Sequence, residues 1–263
     1  MNESTPLVPL SVVMITNRNN DVFKAALASC QFAEEILLFD NQSGNDWQDL
    51  ASQYRFKAIA WDQPITDFAE AKNHALEFAT HNWILFLDSD EVLPPNAGAA
   101  ISKVIRDNLY EGLLIKRTDL FLNKPLHYGE AGTTYLVRLV RKRQLKFSGA
   151  VHEVPHFPGS VGNLSLEITH HAHTSVSEFL ADVGRYAQLR AGELKTSLWQ
   201  TYLELLTFPI AKFIGNYIFK LGFLDGWRGF LYAFIMSLHS AFVRIYRLEK
   251  LLGEATSARA QHS

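Results

Sequence analysis

Short apolar runs alternate with amphipathic segments along the first ninety residues. Runs such as 10–16 (LSVVMIT) are apolar throughout, which is typical of strands buried on both faces. The predicted strands are 10–16, 36–39, 57–61 and 83–87, and the predicted helices lie within 22–30, 46–54 and 67–81. This alternation predicts an α/β fold with a mainly parallel central sheet flanked by helices. Ligands of such sheets bind beyond the carboxyl ends of the strands.

The pattern is less regular between residues 111 and 194. Three further strands are predicted at 112–117, 133–141 and 145–147, in mixed or antiparallel pairing. A helix is predicted at 176–194, where Ser175 and Glu178 have the spacing of a capping box.

The amino-acid composition changes from Trp199 onward, where two helices are predicted on either side of residues 222–229. Thirteen of the chain's 32 aromatic residues lie within 199–246. Seven basic and three acidic residues give the segment 195–250 a local net charge of +4. Such helices suit the headgroup interface of an anionic membrane, although they could also complete the core or form a dimer face. The polar residues 253–263 are expected to be disordered.

Composition narrows the class of protein. The chain has 263 residues, 48% hydrophobic and 20% charged, which excludes a largely disordered protein. A net charge of -2 argues against general nucleic-acid binding. The single cysteine, Cys30, excludes an internal disulfide and a cysteine-built metal site. We expect no signal peptide, and no stretch of about 20 residues is free of charge, which argues against a simple spanning helix.

Carboxylates follow the predicted strands. Asp88 and Asp90 leave the fourth strand at positions i and i+2, where they suit a divalent cation such as Mg²⁺ or Mn²⁺, or else cap a turn. Asp40 ends the second strand and either meets a nucleotide or forms a plain Asx-turn. Lys72 lies on the helix before the fourth strand and is either functional or simply solvated.

Four ordered blocks resemble the motifs of family 2 glycosyltransferases with the GT-A fold: SVVMITNRN, LLFDNQSGND, FAEAKNHAL and ILFLDSDE. Later segments are similar to the lipopolysaccharide-core branch, which includes the β-1,4-glucosyltransferase type: FSGAVHEVPHF, ITHHAHTS and GFLDGWRGF.

The resemblance implies a nucleotide-sugar site. It places Thr16 and Asn17 in the lining of the nucleotide pocket and Asp40 against the uracil or ribose. Asp88 is the first Asp of the DxD motif and helps to hold the nucleotide. Lys72 stands where many members have Arg, which leaves its phosphate contact open.

The resemblance also implies a divalent metal, Mg²⁺ or Mn²⁺. The second Asp of the motif, Asp90, would bind it. His170 would be a further ligand from the C-terminal part, with a surface histidine patch as the alternative.

An inverting transferase needs a general base to take the acceptor proton. Family members often present it in a Glu-Asp pair, and this chain has His152 and Glu153 instead. Glu153 is the predicted base and His152 a weaker one. Alternatively, Glu153 pairs structurally with Arg138 or Arg141. The local basic patch of Arg138, Arg141, Lys142, Arg143 and Lys146 is either a solvated face or a contact for acceptor phosphates.

The resulting hypothesis is an inverting transfer of a hexose from a UDP-type sugar to a lipopolysaccharide core or related glycolipid acceptor. The alternatives are a polyprenyl-phosphate glycosyltransferase and a catalytically silent sugar-nucleotide-binding membrane module.

The expected domains are a catalytic domain at 1–194, divided near residue 110 into nucleotide-sugar and acceptor halves, and membrane-associating helices at 195–252. The expected location is the cytoplasm, peripheral on the inner face of the cytoplasmic membrane.

Overall fold

The computed structural model describes residues 6–61, 65, 67–149 and 153–260. Among these residues the strands are β1 (Val8–Thr16), β2 (Ala33–Asn41), β3 (Lys57–Trp61), β4 (Trp83–Phe86), β5 (Glu91–Val92), β6 (Gly112–Phe121), β7 (Lys124–Pro125), β8 (Thr134–Arg141), β9 (Lys146–Ser148), β10 (Val154–His156) and β11 (Val161–His173). The α-helices are α1 (Asp21–Ser29), α2 (Gln48–Ala51), α3 (Phe68–Phe78), α4 (Ala97–Asp107), α5 (Val176–Glu193), α6 (Leu198–Ile214) and α7 (Gly226–Ala260).

Side-chain caps set the starts of four helices. The side chains of Asn20, Asp67 and Ser175 each accept a hydrogen bond from a backbone N–H three residues later, at the starts of α1, α3 and α5. At α6, Ser197 and Gln200 form a full capping box. Each cap satisfies an N–H that the helix itself leaves without a partner.

The main sheet is mixed, with strand order β3-β2-β1-β4-β8-β6-β11-β5 and β7 paired to β6. β3, β2, β1 and β4 are parallel, whereas β8 is antiparallel to both β4 and β6. The expectation of a mainly parallel sheet therefore holds only for the first half. The second half differs because the described residues between β6 and β8 contain no α-helix, and a short connection returns the chain as an antiparallel neighbour.

The chain divides into two compact units, one of residues 1–117 and 134–170 and the other of residues 118–133 and 171–263. In the first unit, successive side chains of β1 enter different cores. Val12 and Met14 pack in the core that also includes Phe23 of α1 and Ile101 of α4, whereas Val13 packs in the core that includes Ala75 of α3. The two-residue period of a strand thus builds a helix–sheet–helix sandwich.

In the second unit, α5 packs against α7. Phe179 and Val183 of α5 lie in one buried cluster with Tyr232 and Ile235 of α7. Between α6 and α7 the chain passes through a π-helical turn (Gly215–Phe219) and a 3-10 turn (Gly222–Asp225).

Several boundaries differ from the predicted ones. The predicted division after residue 194 would separate α5 from α7, whereas Phe179 and Tyr232 place both helices in one unit. The helix α7 extends to Ala260, so residues 253–260 are helical although disorder was expected. Two long elements, α4 and β11, and the short strands β5, β7 and β10 were not predicted. Of these, β11 has a clear alternation of exposed and buried residues from Val161 to Ile168.

One helical stretch, Gly222–Glu254, is long and apolar enough to cross a membrane by length and composition alone. A third of its most apolar window is buried, and buried helices of soluble proteins meet the same criteria. The stretch contains Arg228 and Arg244, which is why a search for charge-free segments does not select it.

Candidate active site

The carboxyl ends of β1, β2 and β4 bring three of the predicted residues to one edge of the sheet. Thr16 at the end of β1 is in register with Asp40 in β2. Asp88 follows β4, whose next residue, Leu87, donates its N–H to the carbonyl of Val13 in β1 at 3.1 Å. This edge is where parallel α/β sheets bind ligands.

Asp40 organises the loop that follows β2. Its Oδ1 accepts the N–H of Ser43 at 3.0 Å, and its Oδ2 accepts Nε1 of Trp47 at 3.0 Å. Asp40 therefore stabilises a local turn, as its structural alternative required, although its bond reaches the N–H three residues on rather than the two of an Asx-turn. A carboxylate has about four acceptor sites, and these two bonds occupy two of them. A nucleotide would therefore contact Asp40 through the remaining lone pairs.

Thr16 and Asn17 differ in exposure. Thr16 is buried, and its hydroxyl both accepts the N–H of Arg18 at 3.0 Å and lies 3.2 Å from the carbonyl of Arg18. Asn17 is exposed. Of the two predicted pocket residues, Asn17 is the one whose side chain is open to a ligand.

Asp88 belongs to a buried charge network that the sequence analysis did not anticipate. Nη2 of Arg138 donates to Oδ2 of Asp88 at 2.5 Å and also to Oε1 of Glu91. Glu91 is fully buried and Arg138 is 5% exposed, whereas the side chain of Asp88 is 44% exposed. A second arginine, Arg117, lies 3.7 Å from the same oxygen of Glu91.

The network determines the protonation of its acids. Burial by itself would raise the pKa of Asp88, but Arg138 first and Lys72 next hold the pKa well below its usual range. Burial raises the pKa of Glu91, against the opposing effect of Arg138. Burial likewise opposes the charge on Arg138, but Asp88 and Glu91 raise its pKa above the ordinary value. Asp88 is thus kept as a carboxylate that can hydrogen-bond a nucleotide hydroxyl.

Asp90 and His170 come together because β5 pairs with β11. The ladder places Glu91 opposite His170, and Nε2 of His170 lies 3.5 Å from Oδ1 of Asp90. Both side chains are partly exposed, at 32% for Asp90 and 15% for His170. Asp90 and His170 are 80 positions apart in the sequence and were both predicted as metal ligands. The structure therefore places the two side chains next to each other.

These two groups form a partial donor set for a divalent cation. Among the described residues, no cluster of three His, Cys, Asp or Glu side chains could hold a metal. One carboxylate and one imidazole fit a cation that completes its coordination with oxygens of a phosphorylated ligand. They do not fit a metal held by protein ligands alone.

Lys72 and Glu153 form an ion pair. Nζ of Lys72 donates to Oε1 of Glu153. Lys72 is buried, and its Nζ also lies 5.6 Å from the ring centroids of both Phe86 and Phe147. The reading of Lys72 as a solvated residue is therefore wrong. Glu153 does pair with a cation, but with this lysine and not with Arg138 or Arg141.

His152, the weaker candidate base, lies outside the described residues. The predicted basic patch does not form a single solvated face. Arg138 is buried in the network above, Arg141 stacks on Trp83 at 4.8 Å, and Nζ of Lys142 donates to the carbonyl of Ala79 at 2.7 Å.

Glu91 and Arg138 were not predicted to act together, although the sequence contains one signal. Arg138 interrupts an apolar strand, TYLVRLVR, and a charged residue inside such a strand requires a buried partner. Its partner could not be read from the sequence because 46 residues lie between Glu91 and Arg138.

The chain is similar to known glycosyltransferases. The family model described as Glycosyl transferase family 2 matches residues 11–157, more than half of the chain. An uncharacterized glycosyltransferase of Rickettsia felis is 24% identical over 92% of this chain and 89% of its own. The SPbeta prophage-derived glycosyltransferase SunS of Bacillus subtilis is 26% identical over 57% of this chain and 35% of its own.

Among solved structures, S. aureus TarS 1–349 resembles the chain with a TM-score of 0.46 and 14% identity, covering 96% of this chain and 91% of TarS 1–349. The family match spans β1 to β10, and therefore includes the edge with Thr16, Asp40 and Asp88 as well as Asp90, Lys72 and Glu153. From this match and the sheet described above, we conclude that the chain belongs to glycosyl transferase family 2 and adopts the GT-A fold.

Proposed function

We propose that this glycosyltransferase moves a hexose from a UDP-type sugar to a lipopolysaccharide core or related glycolipid acceptor, with inversion at the anomeric carbon. The observation that supports it most is the meeting of Asp88, held ionised, with the Asp90–His170 pair at the loop beyond β4. Charged groups of this kind suit a diphosphate ligand and its counter-cation.

The nucleotide part of the donor would lie at the carboxyl ends of β1 and β2. Asn17 is exposed there, and Asp40 has acceptor sites left after its bonds to Ser43 and Trp47. Asp88 would accept a hydrogen bond from a ribose hydroxyl, since its carboxylate is partly exposed and already oriented by Arg138.

Asp90 and His170 would hold a divalent cation together with the donor's phosphate oxygens. When bound, such a cation neutralises charge on the diphosphate leaving group. The imidazole in this pair favours Mn²⁺ over Mg²⁺, because Mg²⁺ prefers an all-oxygen octahedron.

Glu153 would act as the general base. In the transfer, the acceptor hydroxyl oxygen forms a bond to the anomeric carbon, the bond from that carbon to the diphosphate oxygen breaks, and the hydroxyl proton passes to Glu153. UDP leaves with the electron pair of the broken bond. Lys72 orients the Glu153 carboxylate through their ion pair, and the two aromatic rings beside Lys72 fix its Nζ.

The acceptor assignment rests on the resemblance of FSGAVHEVPHF, ITHHAHTS and GFLDGWRGF to the lipopolysaccharide-core branch. A polyprenyl-phosphate acceptor is the alternative within the same chemistry. A catalytically silent sugar-nucleotide-binding module is the alternative outside it. The ionised Asp88 and the paired Glu153 support an active enzyme.

The second unit would attach the protein peripherally to the anionic inner face of the cytoplasmic membrane. Large apolar side chains are exposed along α6 and the turn after it, including Trp199 (76%), Leu206 (70%) and Phe219 (79%). Two of the three acidic residues of 195–250 are engaged in contacts of their own, while Glu249 is exposed. Glu204 is bound by Arg244 at 3.2 Å, and Asp225 accepts the backbone N–H groups of His127 and Tyr128. Exposed apolar side chains on helices with a net positive charge suit an anionic lipid interface.

Two measurements test the proposal. Purified protein with Mn²⁺ should release UDP from one UDP-hexose in a panel, and the Asp90→Asn variant should need a higher Mn²⁺ concentration to release it. Mass spectrometry of lipopolysaccharide from cells with and without the protein should then differ by one hexose. Binding of UDP without release of UDP from any donor would support the silent module. A changed polyprenyl-phosphate sugar with unchanged lipopolysaccharide would favour the alternative acceptor.

A further inference from the structure

The loop of residues 88–91 is closed by an ion pair whose two members are buried. Glu91 is fully buried at the start of β5, and Arg138 is buried in β8. Asp88 and Asp90, which lie in this loop, are the residues proposed to meet the donor.

Glu91, at one end of the loop, makes two hydrogen bonds with the backbone of Asp88 at the other end. Its Oε2 accepts the N–H of Asp88 at 3.1 Å, and its own N–H donates to the carbonyl of Asp88 at 3.0 Å. Its Oε1 accepts from Arg138, which also holds Oδ2 of Asp88. Three contacts therefore fix the backbone and side chain of Asp88, and the fourth, from Arg138 to Glu91, links the two residues that make them.

The same pair also sets the place of Asp90. Glu91 lies opposite His170 in the β5–β11 ladder, so anchoring Glu91 holds Asp90 beside Nε2 of His170 at 3.5 Å. Burying a charge pair is costly compared with an apolar pair of similar volume, so stability alone does not explain these residues. What these contacts provide instead is a loop held in one conformation.

We propose that Arg138 and Glu91 are positioning residues that fix the loop of residues 88–91 for donor binding. The inference rests on the proposed function for its effect on turnover. Its effect on the loop itself can be measured without any substrate.

The experiment uses the full chain and three variants: Glu91→Gln, Arg138→Lys and Arg138→Met. Arg106→Met, an exposed arginine on α4, is the matched control. Hydrogen exchange followed by mass spectrometry should show the peptide spanning 83–93 exchanging about 10-fold faster or more in Arg138→Met and Glu91→Gln, with other core peptides unchanged. If Arg138→Met does not fold, the two conservative variants decide the result.

Turnover gives a second readout, which a purely structural role would not reproduce. A loop displaced by about 1 Å costs about 10²-fold in rate, so we expect kcat with the donor to fall by that order while the acceptor KM stays unchanged. Arg138→Lys keeps the charge, but its side chain is one bond shorter than that of arginine, so it should recover part of kcat.

The outcomes separate the two proposals. Unchanged exchange at 83–93 in folded Glu91→Gln and Arg138→Met would overturn the positioning role, whatever the turnover. Faster exchange restricted to this peptide supports the positioning role even if the unsubstituted protein turns over no UDP-sugar, a result that would instead refute the proposed function.

Discussion

Nζ of Lys72 on α3 binds the carboxylate of Glu153, 81 residues later in the chain. The lysine predicted to contact phosphate and the glutamate predicted to act as base therefore form one unit. A change at either residue must affect the other, since removal of one leaves the second without its counter-charge.

We expect Glu153→Gln to lower transfer by about 10²-fold while donor binding is retained, because an amide is nearly isosteric but cannot take the proton. Lys72→Met should also lower transfer. The double variant should be much less impaired than the sum of the two effects, because both substitutions remove the same interaction. Steady-state kinetics of the four proteins measure this coupling. Full additivity, or an ordinary kcat in Glu153→Gln, would place the base elsewhere, with His152 next to be tested.

Asp90→Ala and His170→Ala should each weaken activation by Mn²⁺ without unfolding the protein. Both side chains are partly exposed, so neither substitution opens a core cavity. Titration of turnover with Mn²⁺ should show a half-maximal concentration raised about 10-fold or more, with circular dichroism as the check on folding. His156→Ala is the control, because His156 binds Ser148 in a separate two-stranded sheet. Normal Mn²⁺ dependence in a folded Asp90→Ala protein would remove this residue from the metal site.

Asp40→Ala should weaken UDP binding even without a metal, and it should also lower thermal stability. The lost carboxylate leaves the N–H of Ser43 and Nε1 of Trp47 without their acceptor. The cost is about 1–3 kcal/mol for a fully buried group and smaller for these half-buried ones. Asp40→Asn keeps one oxygen and should lose less stability. Calorimetry gives the affinity and the melting temperature together. Unchanged affinity for UDP in Asp40→Ala would restrict Asp40 to its turn.

Leu206→Glu should reduce binding to anionic vesicles, because it puts a carboxylate on the exposed face of α6. Leu109→Glu is the matched control, since both leucines are 70% exposed and Leu109 lies in the other unit. Flotation with anionic vesicles at low and high salt measures the effect, and attachment should weaken with salt without vanishing. Truncation after Leu194 is a poorer test, because it would uncover Phe179 where that side chain packs on Tyr232. A full-length protein that does not float would assign these helices to a dimer face or another partner.

Acid should destabilise the first unit through Glu35. Burial raises the pKa of Glu35, but hydrogen bonds from Ser11 and Thr80 and the nearby His81 lower it overall below its ordinary value of 4.5. The stabilisation is therefore complete above about pH 4.5 and is lost as pH falls through the lower folded-state value. Urea unfolding at pH 7 and pH 4 should show a smaller pH effect in Glu35→Gln than in the exposed control Glu77→Gln. Equal pH effects in the two variants would contradict this.

Local patterns in the sequence were enough to predict the parallel half of the fold and the positions of candidate site residues along the chain. Residues 57–61 were predicted as a strand with the bounds of β3, and the start of α5 followed from Ser175 and Glu178. These features are local, because a strand's apolar run or a helix cap depends on neighbours within a few residues. Asp40 and Asp88 could be placed at strand ends for the same reason.

Only the tertiary structure decided which charged groups are partners. Arg138 binds Asp88 and Glu91, Lys72 binds Glu153, and His170 approaches Asp90, each across 47 residues or more. The register of the antiparallel strands brings together the groups around Arg138 and His170, whereas Lys72 on α3 meets Glu153 just before β10 of the separate two-stranded sheet. Register is set by long-range packing. No local pattern encodes it, because a shift of one residue moves every side chain of a strand to the other face.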